Sequence, residues 1–154
     1  MPLRQQIAER LFLVSAAAAV LMVADLSVKA AVPTPPWHFH ERSHAWELLC
    51  VVLLLGALAL ARIPSRAVAL GAGVMSGGVA GNLLSARTND SRVPNPLVLG
   101  DYMNGIAFNV ADVFILVGNL ILMVSLMVVT IRHRDRLIPP RQLRAALRRR
   151  FGAS

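Results

Sequence analysis

The chain has 154 residues, of which 56% are hydrophobic and only 16% are charged, and its formal net charge is +8. A soluble domain of this size could not cover so much apolar surface, so the composition indicates a multi-span membrane protein. The positive charge does not indicate a nucleic-acid-binding protein, because the basic residues cluster near the C-terminus and one tyrosine and two tryptophans offer too few rings for a base-stacking surface. Cys50 is the only cysteine, which excludes an intrachain disulfide and favours a packing role.

Four apolar segments are long enough, or nearly so, to cross a bilayer as helices. They cover approximately residues 11–32, 45–61, 67–86 and 106–131. The longer connections, at 33–44 and 87–105, are polar and rich in Pro, Asn and Gly, which is typical of loops. The sequence therefore predicts an all-α integral membrane bundle of four transmembrane helices, with a membrane domain over 1–131 and a basic tail over 132–154.

The distribution of positive charge predicts the orientation of this bundle, because cytoplasmic loops carry an excess of Lys and Arg. One side of a four-span arrangement would carry Arg4, Arg10, Arg62, Arg66 and every arginine from Arg132 onward. The other side would carry only Lys29, Arg42, Arg87 and Arg92. Both termini are therefore expected in the cytoplasm, with the two long loops outside. A cleaved signal peptide is a competing interpretation of the first segment, but charged residues interrupt its apolar core.

The tail from Arg132 to Arg150 carries eight arginines. Leu143, Leu147 and Phe151 recur at helical spacing, which indicates a short amphipathic helix on the membrane surface. Such a segment would bind anionic membrane lipids and anchor the chain.

Polar residues within the apolar segments are expected to lie at one depth. In the four-span arrangement Asp25 and Lys29 lie near the outer end of the first span, Asn82 near the outer end of the third, and Asn109 and Asp112 at the outer start of the fourth. Asp25 and Lys29 are four residues apart, so they share a helix face and can pair. A shared depth predicts a single site rather than scattered contacts between helices.

The third segment also carries a stripe of small residues. Gly73, Gly77 and Gly81 recur every four residues, which predicts close approach of a neighbouring helix. Asn82 follows directly at the end of this contact line.

Asp101 lies just upstream of the fourth segment and is a candidate partner for Asp112. Two neighbouring carboxylates in a medium of low dielectric constant share one proton, so one can activate water while the other protonates a leaving group. The alternative is that these residues have structural roles. Asp112 would then cap a helix, and Asp101 would be a charge in a loop. Asp25 and Lys29 would form a salt bridge that holds the first span against its neighbours. Asn82 and Asn109 have the same alternative, as partners in hydrogen bonds between helices.

The first long loop contains three histidines near one acidic residue, which superficially suggests metal ligands. These residues are His38, His40, Glu41 and His44. Because no cysteine or further histidine clusters with them, no metal site is predicted.

Three motifs together resemble the family of lipoprotein signal peptidase, also called signal peptidase II. They are Gly81-Asn82-Leu83, Leu99-Gly100-Asp101-Tyr102 and Phe108-Asn109-Val110-Ala111-Asp112. The run from Asp25 to Lys29 is similar to the family's Asp-x-(Ser/Thr)-Lys signature with one residue inserted. The resemblance implies a four-span aspartic endopeptidase of the bacterial inner membrane, with its active site at the outer face.

The resemblance further implies a substrate and a set of roles. The substrate is a prolipoprotein, cut just before a cysteine that carries a diacylglyceryl group, and no metal or organic cofactor is implied. Asp101 and Asp112 would be the catalytic pair, with Asn82 and Asn109 as supporting polar groups.

The chain also departs from the family pattern. The family usually carries an Asn-x-Gly-Ala-Phe segment in its first outer loop, and residues 33–44 contain no such segment. The family also carries an acidic residue followed by arginine after Gly-Asn. Here the matching positions are Ser85 and Ala86, and Arg87 comes one position late. Asp90 is a fallback for the first aspartate, although its Thr-Asn-Asp-Ser context is typical of a solvated turn.

These departures leave two alternatives open. One is a non-catalytic relative that acts as a binding or assembly protein. The other is a small transporter in which Asp25, Lys29 and Asp112 line a path, although a transporter would place ionisable groups near the bilayer midplane. The substrate set, the oligomeric state and the use of the histidine loop stay open.

Overall fold

The computed structural model describes residues 2–134 except Tyr102, and four helices dominate that part of the chain. They are α1 (Leu3–Ala31), α2 (His44–Leu60), α3 (Arg66–Thr88) and α4 (Val110–Arg132). Three of these helices, α1, α3 and α4, are long and apolar enough to cross a membrane, whereas α2 is a shorter apolar helix of 17 residues. Each of the four predicted apolar segments thus forms a helix. The proposed amphipathic segment of the tail lies outside the described residues.

Helix α3 is the centre of the bundle and packs against the other three helices. In its most apolar stretch 67% of the residues are buried, against 11% in α1 and in α4. The predicted glycine stripe makes this possible, because a Cβ added at Gly73 would lie 2.8 Å from Ala17 Cβ and one at Gly77 would lie 2.7 Å from Leu21 Cβ. Small residues therefore let α1 and α3 approach closely.

The outer faces of α1, α2 and α4 carry large apolar side chains that are exposed in the isolated chain. Phe12, Leu55, Leu116 and Met123 are among the most exposed. In a bilayer these faces contact lipid tails, which are as apolar as leucine, so such a surface needs no protein cover.

The connections between the helices contain two small antiparallel sheets that the all-α prediction omitted. Strand β1 (Phe39–Glu41) pairs with β2 (Arg92–Pro94), and β3 (Leu97–Leu99) pairs with β4 (Ile106–Phe108) in a hairpin. Three-residue strands are too short to show an alternating pattern, which explains why both stretches were interpreted as loops.

The fourth predicted segment began too early, at Ile106. Ile106–Phe108 pairs with β3, and α4 begins only at Val110 because Asn109 caps it. The first segment, in contrast, extends further toward the N-terminus than predicted, to Leu3.

Both sheets lie at the same end of the bundle, since they belong to the α1–α2 and α3–α4 connections. At that end the last turns of α1 and α3 meet the first turn of α4. At the opposite end Arg66 pairs with Glu9 over 2.5 Å, and Ser65 caps α3 after a tight turn. The polar residues of interest gather at the end that carries the sheets.

Candidate active site

The site begins with a capping box at the start of α4. The Asn109 side chain accepts a hydrogen bond from the Asp112 backbone N–H over 3.1 Å, and Asp112 Oδ2 accepts one from the Asn109 N–H over 3.1 Å. This arrangement satisfies backbone donors that have no partner inside the helix. The helix dipole also stabilises a carboxylate at this end. The capping role considered for Asp112 is therefore present, and it holds the carboxylate in one orientation.

A chain of hydrogen bonds leads from Asp112 across to α1. Asn82 donates from Nδ2 to Asp112 Oδ1 over 3.0 Å, and its own oxygen accepts from Lys29 Nζ over 2.7 Å. Lys29 Nζ also donates to Asp25 Oδ2 over 2.7 Å and to Ser85 Oγ over 3.1 Å. The structure thus brings together side chains that the sequence placed at one depth.

Asp25 closes this network back onto α4. Its Oδ1 accepts from the Ala111 backbone N–H over 2.9 Å, so the carboxylate binds both Lys29 and the start of the helix that carries Asp112. Asp25 is fully buried, and it fits because residue 81 is a glycine: a Cβ there would lie 2.6 Å from Asp25 Oδ2. A buried charge of this kind needs both its ion pair and its hydrogen bonds.

Asn95 is a member of the cluster that the sequence analysis did not identify. Its Oδ1 accepts from Asn109 Nδ2 over 2.6 Å, and its Nδ2 donates to the Ala107 carbonyl over 3.2 Å. The only sequence signal was a polar residue between two prolines, Pro94 and Pro96. Ser85 was likewise noted only as a departure from a motif, although it contacts Lys29.

Asp101 lies away from this cluster, at the tip of the β3–β4 hairpin. Its side chain is exposed, and its Oδ1 accepts from the Met103 backbone N–H over 2.8 Å. Gly100 permits the turn with a φ of +95°. Within the described part of the chain no hydrogen bond joins Asp101 to Asp112, so the two carboxylates do not form a bonded pair in this structure.

Arg87 also lies outside the cluster. Its side chain is 65% exposed, and its guanidinium pairs over 2.8 Å with the buried Glu47 at the start of α2. His44 lies 3.6 Å from the same carboxylate. Arg87 therefore joins α3 to α2 rather than contacting Asp112.

A cavity of about 360 Å³ opens beside the cluster, between the last turns of α1 and α3 and the β1–β2 sheet. Lys29 and Ser85 line it on the helix side, and Phe39 and Pro94 line it on the sheet side. The polar cluster therefore borders a space that an extended peptide segment could enter.

The arrangement provides one carboxylate that is fixed and still accessible. Asp112 is half-buried, and each of its oxygens accepts one hydrogen bond. An ionised carboxylate has about four acceptor positions, so it can bind a further donor such as water. The geometry therefore suits a base that removes a proton from a bound water.

Comparisons with known proteins identify a family and a shared fold. A family model described as signal peptidase (SPase) II matches residues 35–128. Among solved structures, a bacterial membrane enzyme determined by the in meso method at 2.3 Å resolution is similar to this chain with a TM-score of 0.58. The similarity covers 80% of this chain and 92% of that one at 12% sequence identity, so it establishes the fold alone. No curated protein sequence matches the chain.

Proposed function

The chain belongs to the signal peptidase II family of membrane aspartic endopeptidases, and we propose that it cleaves prolipoprotein signal peptides at the cluster around Asp112. The observation that carries this proposal is the double anchoring of the Asp112 carboxylate by Asn82 and by the Asn109 backbone. A base fixed by two donors is held in a productive orientation before substrate arrives.

In the proposed reaction Asp112 is the ionised carboxylate. It takes a proton from a water whose oxygen bonds to the carbonyl carbon of the scissile peptide. Asp101, in its protonated form, donates a hydrogen bond to the carbonyl oxygen and then gives its proton to the leaving amine as the C–N bond breaks. The products are the signal peptide carboxylate and a free amino group on the lipidated cysteine. The carboxyl group of the product returns a proton to Asp101, and Asp112 releases its proton to solvent, which restores both residues. Water is the only co-reactant, so the proposed reaction requires no metal or organic cofactor.

Asp101 must approach Asp112 for this reaction, and we propose that the β3–β4 hairpin folds over the bound peptide. Two features support such a movement. The hairpin tip is exposed, and among the residues that the structure describes the Asp101 carboxylate binds only within its own turn, to the Met103 N–H. Lys29, Asn82, Asn109 and the buried Asp25 would support the catalytic carboxylate, and Arg87 would support it indirectly by holding α3 against α2.

The membrane arrangement is part of the same proposal. Helix α2 would be the fourth span, with both termini in the cytoplasm of a bacterial inner membrane and the cluster at the outer face. The clustering of arginines beyond residue 131 supports this orientation. The acyl chains of the substrate would then enter sideways from the bilayer and stay in lipid while the peptide reaches Asp112.

A second candidate function is favoured by the position of Asp101. The Asp101 carboxylate is exposed, and the buried side chain beside Asn109 is the amide of Asn95 rather than a second carboxylate. In this structure the cluster therefore holds one accessible carboxylate, that of Asp112. A relative with this site would bind the signal peptide of a prolipoprotein without cleaving it. Binding and cleavage are therefore to be measured on the same preparation.

The decisive experiment uses the full chain purified into lipid nanodiscs and a diacylglyceryl-modified prolipoprotein peptide. We expect cleavage by the natural chain and a loss of at least about 1,000-fold in Asp112→Asn and in Asp101→Asn, the scale of losing a catalytic acid or base. Asp90→Asn is the control and also tests the fallback aspartate: Asp90 is exposed and its φ of +49° suits asparagine equally well, so we expect unchanged cleavage. Peptide binding without cleavage by the natural chain would instead establish the second candidate, and equal cleavage by all variants would exclude the aspartate mechanism.

A further inference from the structure

Asn95 is a buried amide at the junction of three separate segments. It is 2% exposed, its backbone N–H donates to the His38 carbonyl beside β1, and its Nδ2 lies 3.2 Å from His40 Nδ1. The same Nδ2 donates to the Ala107 carbonyl in β4, and its Oδ1 binds Asn109 at the start of α4. One side chain thus joins the β1 segment, the hairpin and the helix that carries Asp112.

The hydrogen bonds of Asn95 determine the orientation of the neighbouring amide. The Ala107 carbonyl can only accept, so Asn95 must direct its nitrogen there and its oxygen toward Asn109. Asn109 must then direct its own nitrogen toward Asn95, which leaves its oxygen facing the Asp112 N–H. A reversed Asn109 amide would set two acceptors against each other at Asn95 and two donors against each other at the Asp112 N–H.

We propose that Asn95 is a positioning residue for Asp112 and the anchor of the hairpin that carries Asp101. It acts on Asp112 through the Asn109 amide and on Asp101 through the Ala107 carbonyl at the base of the hairpin. The catalytic part of this inference rests on the proposed function. The anchoring part stands on the hydrogen bonds alone.

Replacement of Asn95 by alanine removes both effects. Asn109 Nδ2 would retain only its 3.4 Å contact with the Pro94 carbonyl, and the Ala107 carbonyl would lose its side-chain donor. We expect kcat to fall by about 10- to 100-fold, as small displacements of a catalytic group do, while KM changes less than about threefold. Amide hydrogen exchange over residues 97–108 should rise, because the hairpin is no longer tied at its base.

The experiment compares Asn95→Ala with Asn95→Ser, which retains a shorter polar group if the alanine variant folds poorly. Asn119→Ala is the matched control, because Asn119 is an exposed asparagine of α4. The double variant Asn95→Ala/Asn109→Ala tests the route to Asp112: because part of the Asn95 effect passes through Asn109, the combined loss of kcat should be smaller than the product of the two single losses. Additive losses would overturn the positioning role.

Asn95→Asp tests the opposing possibility that position 95 contacts the substrate water directly. An aspartate there keeps the acceptor for Asn109 but sets a second oxygen against the Ala107 carbonyl, so we expect slower cleavage. Restoration of cleavage to Asp101→Asn by Asn95→Asp would overturn the positioning role, because residue 95 would then supply the second carboxylate.

The exchange measurement separates the two hypotheses. Raised exchange over 97–108 in Asn95→Ala, with no cleavage by the natural chain, would refute the proposed function and support the anchor. Unchanged exchange would refute the anchor whatever the cleavage rates are.

Discussion

Asn82 on α3 donates to Asp112 on α4 over 3.0 Å while its own oxygen accepts from Lys29. Because an ammonium group can only donate, the orientation of the Asn82 amide is fixed and its nitrogen must face Asp112. Together with the Asn109 backbone N–H on Oδ2, this donor holds the Asp112 carboxylate in one orientation within the cluster. This relationship is the reason that Asp112, rather than Asp101, is assigned as the base.

Removal of the Asn82 side chain should slow cleavage without unfolding the chain. In Asn82→Ala both Asp112 Oδ1 and Lys29 lose a partner, and because the base is then held less firmly, kcat/KM should fall about 10- to 100-fold, as it does when a catalytic group is slightly displaced. Steady-state cleavage of the lipidated peptide measures this. Asn119→Ala serves as the control, and equal rates for the two variants would contradict the prediction.

Lys29 should contribute strongly to stability, because it is the cation that pairs with the buried Asp25. Lys29→Met leaves the fully buried Asp25 carboxylate without its cation, which costs about 3–5 kcal/mol. Unfolding in mild detergent, followed by tryptophan fluorescence, measures the loss. Ser27→Ala on the exposed face of the same helix is the control.

The double variant Asp25→Asn/Lys29→Met tests the cause of that loss. Since it removes both charges, it should be more stable than Lys29→Met alone. Equal stability of the single and double variants would show that an uncompensated charge is not responsible.

Gly78 should tolerate no side chain, because an added Cβ would lie 2.8 Å from Ile115 Cγ1 and 3.0 Å from the Ile115 backbone N. Gly78→Ala must therefore displace the first turns of α4, which carry Asp112, and we expect lower stability together with slower cleavage. Gly56→Ala in α2 is the matched control, because a Cβ there meets nothing within 4 Å. Its helix should gain up to about 1 kcal/mol from the higher helix propensity of alanine. Similar stability of both variants would contradict this account of α3 packing.

The Arg87–Glu47 pair should affect cleavage only slightly. The Arg87 side chain is 65% exposed, so solvent screens its charge although Glu47 is buried, and a pair screened in this way contributes about 1 kcal/mol or less. Arg87→Met should therefore change kcat/KM by less than about threefold, and Arg87→Met/Glu47→Gln should lose no more activity than the larger single effect. A large loss of kcat in Arg87→Met alone would instead place Arg87 in contact with the substrate.

Helical spacing and depth were sufficient to predict most of the polar cluster. Asp25 and Lys29 are one turn apart, and Asn82, Asn109 and Asp112 lie near span ends, so their convergence followed from four apolar segments and alternating direction. Asn95 could not be found in this way. It lies in a connection without periodicity, and its role depends on which carbonyl and which amide the folded chain places beside it.

Composition, motifs and spacing within single helices were enough to predict the membrane class, the family and a glycine stripe that a neighbouring helix approaches. That this neighbour is α1, and which polar groups meet, depends on contacts between distant parts of the chain. The tertiary structure showed Asn95 rather than Asp101 against the start of α4, Arg87 on Glu47, and two short sheets between the helices. Contacts of that kind join residues that are far apart in the chain, and no local pattern encodes the direction in which a connecting loop carries a side chain.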